Sequence, residues 1–91
     1  PMNERRRVLF TGHVQGVGFR YTAVSVARGH AVTGYVQNLS DGGVVLVAEG
    51  ERGELDRYLA DLGAVMRGYI QGAQSEASLS TGEFTSFHVR Y

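Results

Sequence analysis

Arg20 closes a run of ten residues whose types suit the capture of an anion: Gly12-His13-Val14-Gln15-Gly16-Val17-Gly18-Phe19-Arg20-Tyr21. The run joins a predicted strand to a predicted helix. A glycine-rich turn can aim several backbone N–H groups at one point. The helix that follows adds its own unpaired N–H groups and the positive end of its dipole. Arg20 adds a permanent charge on a planar donor fork suited to phosphate. Together these describe a small pocket for a phosphoryl or other anionic group. A glycine pair alone more often serves only a tight turn. A long cation directly after the turn has no core-packing reason to be there, and its plain alternative is a surface salt bridge. Other phosphate loops do not fit: there is no G-x-x-x-x-G-K-[ST], the dinucleotide spacing is absent, and no acidic ribose partner is evident.

A second constellation is Gly34-Tyr35-Val36-Gln37-Asn38-Leu39-Ser40-Asp41-Gly42. Asn38 ends a strand at a hairpin. Its amide either holds the turn backbone or holds a water, since it both donates and accepts. Spacing leaves the two roles open. His13, His30 and His88 are scattered. A phosphohistidine mechanism needs a histidine beside the loop, and His13, the one candidate, reads as pointing away on the first strand. Asp41 and Glu49 read as a turn-shaping residue and a strand end rather than as an acid–base pair. Tyr91 either brings a terminal carboxylate toward an arginine of the site or is a plain surface terminus.

The elements that must position these residues follow from periodicity. Val8–Val14 reads as a strand, with Val8 and Phe10 on one face. From Phe19 a helical stripe of Phe19, Ala23, Val26 and Ala27 runs to a terminator at Gly29. Ala31–Asn38 is the second strand, Ser40-Asp41-Gly42-Gly43 a hairpin turn, and Val44–Glu49 an inner strand. Leu55, Tyr58, Leu59, Leu62, Val65 and Met66 mark an amphipathic helix closed by Gly68, with Tyr58 and Met66 in the core. A fourth strand is expected within Tyr69–Ser80. Phe84–Tyr91 is the last, with Phe87, Val89 and Tyr91 on one face and Ser86, His88 and Arg90 on the other. The order β-α-β-β-α-β with a short extra C-terminal strand predicts an α+β, ferredoxin-like sandwich: two helices on one face of a mainly antiparallel sheet.

Composition bounds the rest. The chain has 91 residues, no cysteine and a formal net charge of zero. We read residues 1–91 as one domain. Residues 1–6 read as a flexible lead-in, with Arg5-Arg6-Arg7 solvated, and Pro1 as an addition ahead of a natural start at Met2. Absence of cysteine excludes disulfides and thiolate chemistry. The neutral balance argues against nucleic acid as a partner, and no apolar run reaches the length of a membrane span.

The two constellations resemble the motifs of the acylphosphatase family, G-x-V-Q-G-V-G-F-R and G-x-V-x-N-x-x-D-G-x-V. They stand here as Gly12–Arg20 and Gly34–Val44, complete and in order. Ala48-Glu49-Gly50 and the ending Gly82–Tyr91 are also similar to the family. The resemblance implies hydrolysis of the carboxyl–phosphate bond of a small acyl phosphate to carboxylate and inorganic phosphate (EC 3.6.1.7). It assigns phosphate binding to Arg20 and to the backbone amides of Gln15, Gly16, Val17, Gly18, Phe19 and Arg20. It assigns orientation of the attacking water to Asn38. It implies no metal or organic cofactor, inorganic phosphate as a competitive inhibitor, and a monomer in the cytoplasm. Two departures stand out: Val45 replaces a glutamate that many relatives carry, which removes a surface charge, and Tyr69–Leu79 lacks a Gly-Pro-Pro-like stretch.

Three other functions compete with this one. A binding module for acyl or carbamoyl phosphate within a larger maturation system would be joined to further domains. An RNA-binding sheet needs exposed aromatics on the third strand, where Val44–Ala48 has none. A regulatory small-molecule domain would not need Arg20 and Asn38 together.

Overall fold

The computed structural model describes residues 3–91, so the reading of Pro1 and Met2 lies outside the described residues. Seven elements follow in order: β1 Asn3–Gly12, α1 Phe19–Ala27, β2 Thr33–Asn38, β3 Val44–Glu51, α2 Arg52–Val65, β4 Ile70–Leu79 and β5 Phe87–Arg90. The strands form one sheet in the order β4-β1-β3-β2-β5. All pairs are antiparallel except β2 with β5. This is the ferredoxin-like α+β sandwich that the element order predicted. No helix among the described residues is long and apolar enough to cross a membrane.

The core lies between the helices and one sheet face. Val8 and Phe10 of β1, Val36 of β2, and Val44, Leu46 and Ala48 of β3 meet Phe19, Ala23 and Ala27 of α1 and Leu55, Tyr58 and Leu62 of α2. Tyr58 and Met66 are both buried, as expected. The Tyr58 hydroxyl donates to the Ala23 carbonyl at 2.9 Å, which satisfies its one polar atom and ties the two helices together. Burial pushes its pKa up.

Residues 3–6 are no lead-in. β1 begins at Asn3, and Arg5, Arg6 and Arg7 pair with Glu49, Ala48 and Val47 of β3 on one side and with Ser78, Ala77 and Glu76 of β4 on the other. Two flanking strands satisfy the backbone of this segment, and the charges of Arg5 and Arg6 find partners. Arg6 reaches Asp56 of α2 at 2.9 Å and also pairs with Glu4.

The opposite sheet face is also partly covered. Glu49 is 4% exposed. It accepts from Arg5 Nε at 2.7 Å, from the Thr81 N–H at 2.9 Å and from the Gly82 N–H at 3.0 Å. Burial alone would raise its pKa, but the two backbone donors and Arg5 outweigh that and hold it below the usual range. The loop between β4 and β5 is thereby strapped across the sheet. Phe84 of that loop stacks edge-on to Tyr35, with ring centroids 5.8 Å apart, and Tyr35 is the cross-strand neighbour of Val47. Val45 is buried too, so it stands at a packed position and not, as expected, at the surface. β3 does not stop at Glu49 but continues to Glu51.

β4 runs the length of β1 as an edge strand, mostly exposed, with a register shift between Thr11 and Gly12. β5 is shorter than predicted because Phe84–Ser86 belongs to the strapped loop. Phe87 and Val89 pack on the core, whereas Tyr91 lies beyond the strand and is exposed.

Candidate active site

The phosphate loop occupies the connection between β1 and α1. Gly16 and Gly18 both adopt left-handed backbone, with φ of 76° and 77°, which glycine adopts without steric cost. Gly18 caps α1, and no side chain fills the cap; the first turn also carries no acidic residue. The N–H groups there therefore face no competing carboxylate of their own helix.

The second motif forms the β2–β3 hairpin. The Leu39 N–H donates to Gly43 O at 2.9 Å and the Gly42 N–H to Leu39 O at 3.2 Å. Asp41 Oδ1 accepts from the Gly43 N–H at 2.9 Å, so Asp41 shapes the turn as expected. Asn38 is the last residue of β2, paired with Val44. Among the described residues its side chain makes no hydrogen bond to the turn, so the turn-holding role falls to other groups.

Between loop and hairpin lies a cavity of about 130 Å³, lined by Val14, Gly16, Gly18, Phe19, Arg20, Tyr21 and Asn38. Its size suits a small polyatomic anion and falls well short of the ~300 Å³ at which pockets begin to enclose drug-sized ligands. Gly16, Gly18, Phe19, Arg20 and Asn38, five of the predicted residues, meet here. Val17 does not line the cavity and packs toward the core. Gln15 does not line it either; its side-chain amide crosses to the hairpin and donates to Leu39 O at 2.7 Å and Gly43 O at 2.8 Å. Val14 and Tyr21 are wall residues to which their types alone assigned no role. Both belong to the ten-residue run, so their neighbourhood was the available signal.

Arg20 forms no salt bridge among the described residues. Its guanidinium lies over the Tyr91 ring, 5.2 Å from the centroid. The surface ion pair that was its alternative explanation is thus not what holds it. His13 lies off the cavity: its N–H donates to Tyr69 O at 2.9 Å, and its ring stands edge-on to Tyr69. His30 bridges Glu54 and Asp61 of α2 at 3.0 and 2.7 Å. Glu54 raises its pKa first, and Asp61 adds to this against the effect of burial. His88 faces Phe84 on the opposite side of the sheet. Asp41 and Glu49 do not form a pair.

The Acylphosphatase family profile matches residues 6–89. An acylphosphatase of Syntrophotalea carbinolica is 37% identical over 96% of both chains. One from Deinococcus radiodurans is 39% identical over 93% of this chain and 98% of its own. The crystal structure of acylphosphatase from Bacillus subtilis superposes with a TM-score of 0.87 at 27% identity, covering 97% of this chain and 99% of that one. With both motifs flanking one anion-sized cavity, the chain belongs to the acylphosphatase family and is an acylphosphatase enzyme.

Proposed function

We propose that this chain hydrolyses small acyl phosphates to a carboxylate and inorganic phosphate, with Arg20 and the loop amides of Gln15–Arg20 holding the phosphoryl group and Asn38 orienting the water. The observation that carries this reading is the shared cavity, where the loop, Arg20 and Asn38 converge on one anion-sized space. An acyl phosphate is already activated, because carboxylate is a good leaving group. Its phosphoryl transfer passes through a loose transition state with charge spread over the phosphoryl oxygens. Catalysis then needs positioning and charge stabilisation more than covalent chemistry.

Water held by the Asn38 amide attacks phosphorus. The phosphorus–acyl oxygen bond breaks, and its electron pair leaves with the carboxylate. Among the described residues no carboxylate or histidine lines the cavity, so a phosphoryl oxygen takes the water's proton. The inorganic phosphate formed fits the same cradle and competes with substrate.

The test is turnover of a generic acyl phosphate by the wild type, Arg20→Ala and Asn38→Ala. Each variant is expected to lose on the order of a hundredfold or more in kcat/KM, as when one transition-state donor is removed. Arg20→Ala should also weaken inhibition by inorganic phosphate, and Asn38→Ala should not. Undiminished turnover by Arg20→Ala would overturn the assignment.

A further inference from the structure

Gln15 sits in the phosphate loop, yet its side chain serves the hairpin. The Nε2 group donates to Leu39 O at 2.7 Å and to Gly43 O at 2.8 Å. These two carbonyls bracket the tip of the turn, and Leu39 directly follows Asn38. Gly43 O already accepts from the Leu39 N–H, so the amide grips a closed turn from outside. Two protons on one nitrogen, aimed at two carbonyls, are what a primary amide supplies; a hydroxyl has one proton and a carboxylate none. Within the described residues no other side-chain hydrogen bond links the β1–α1 loop to this turn.

We propose that the Gln15 side chain is a positioning residue that sets the placement of Asn38 relative to the phosphate loop. The proposal rests on the reading that Asn38 orients the water. Gln15 touches neither phosphate nor water through its side chain. It couples the two halves of the site, so that the loop holding the phosphoryl group also fixes the hairpin that delivers the nucleophile. Small errors in such placement cost up to about a hundredfold in rate.

The experiment compares wild type, Gln15→Met, Asn38→Ala and the double variant, with an acyl phosphate as substrate and inorganic phosphate as inhibitor. Methionine keeps the length of the side chain and removes both donors. Gln15→Met is expected to lower kcat about tenfold or more, while the inhibition constant for phosphate stays within about twofold. In the Asn38→Ala background the same change should cost little, because the group it positions is gone. A full additive loss in that background overturns the proposal, as does a phosphate inhibition constant that rises in step with the fall in kcat. Gln15→Asn keeps the amide one methylene short and provides a second variant should Gln15→Met fold poorly; an intermediate kcat at unchanged phosphate inhibition supports the clamp, and a wild-type kcat overturns it. Loss of activity in Asn38→Ala with none in Gln15→Met removes the clamp and leaves the site reading intact. Wild-type activity in Asn38→Ala removes both.

Discussion

The guanidinium of Arg20 rests on the ring of Tyr91, 5.2 Å from its centroid. Tyr91 is itself held through its main-chain oxygen, which accepts from Gln37 Nε2 at 3.3 Å. Among the described residues Arg20 has no carboxylate partner, so its donors stay open to an anionic ligand, and the aromatic face steadies it without a competing charge.

Removing that face tests how much the steadying matters. An exposed cation–π contact contributes about 0.5–1 kcal/mol. Tyr91→Leu is therefore expected to raise KM and the phosphate inhibition constant together, by about two- to fivefold, with kcat little changed. Steady-state kinetics with inorganic phosphate as inhibitor reads both.

Two glycines should respond to alanine in opposite directions. At Gly34, φ is +145° and an added Cβ would lie 1.8 Å from the Val47 carbonyl oxygen. Backbone of the neighbouring strand cannot yield cheaply, so Gly34→Ala should cost on the order of 3 kcal/mol or more. At Gly63, inside α2, nothing lies within 4 Å of such a Cβ. Gly63→Ala should stabilise by about 0.5–1 kcal/mol through helix propensity. Urea unfolding of the two variants gives both signs.

Glu49 holds the strapped loop through Arg5 and two backbone N–H groups. Glu49→Gln keeps the shape and removes the charge, leaving charge-assisted donors facing a neutral amide. We expect a loss of about 2–4 kcal/mol. Its pKa is depressed in the fold. Its contribution is therefore complete above the unfolded value and is lost as pH falls through the folded one. The variant should show a flatter acid limb in denaturation midpoints measured below pH 5, and an acid limb identical to the wild type would contradict this.

His30 and Glu54 act at the two ends of the pH scale of stability. The His30 pKa is raised above 6.5, chiefly by Glu54. Its contribution is complete below about pH 6.5 and fades as pH rises through the folded value. Glu54 is held down to about 2 by the Ala31 N–H, His30 and Arg57. Its contribution is complete above about pH 4.5 and fades as pH falls toward 2. This cluster therefore favours the fold most between about pH 4.5 and 6.5. His30→Gln should flatten the decline in urea midpoint between pH 6 and 9; an unchanged slope would remove His30 as its source.

The residues nearest the chemistry were the most legible ones. The glycine pair, the cation after it and the asparagine that ends β2 marked the loop and hairpin as candidates by residue type, and the motif resemblance, not spacing, assigned their roles. The helices showed through their stripes. What the chain concealed was decided by distant partners. Arg5–Arg7 have poor credentials for an inner strand, and only pairing on both sides places them there. Ile70–Leu79 holds few apolar residues and becomes a strand by lying against β1. Glu49 shared its alternating face with Val45 and Val47, and the unbroken apolar run of β3 was a sign that both faces are covered. The Gln15 contact had no local signature, since an amide in a loop can reach in many directions.

The strand order carries a kinetic consequence. β1 comes first along the described chain yet sits between β3 and β4, with Glu4 opposite both Gly50 and Leu79. The β2–β3 hairpin with Asn38 closes locally, but the phosphate loop is anchored only after β1 has been inserted between partners far along the chain. Topologies dominated by such distant pairings fold slowly, in about milliseconds to seconds. In stopped-flow refolding, hairpin structure should therefore precede phosphate binding, and recovery of catalysis should mark the last step of assembly.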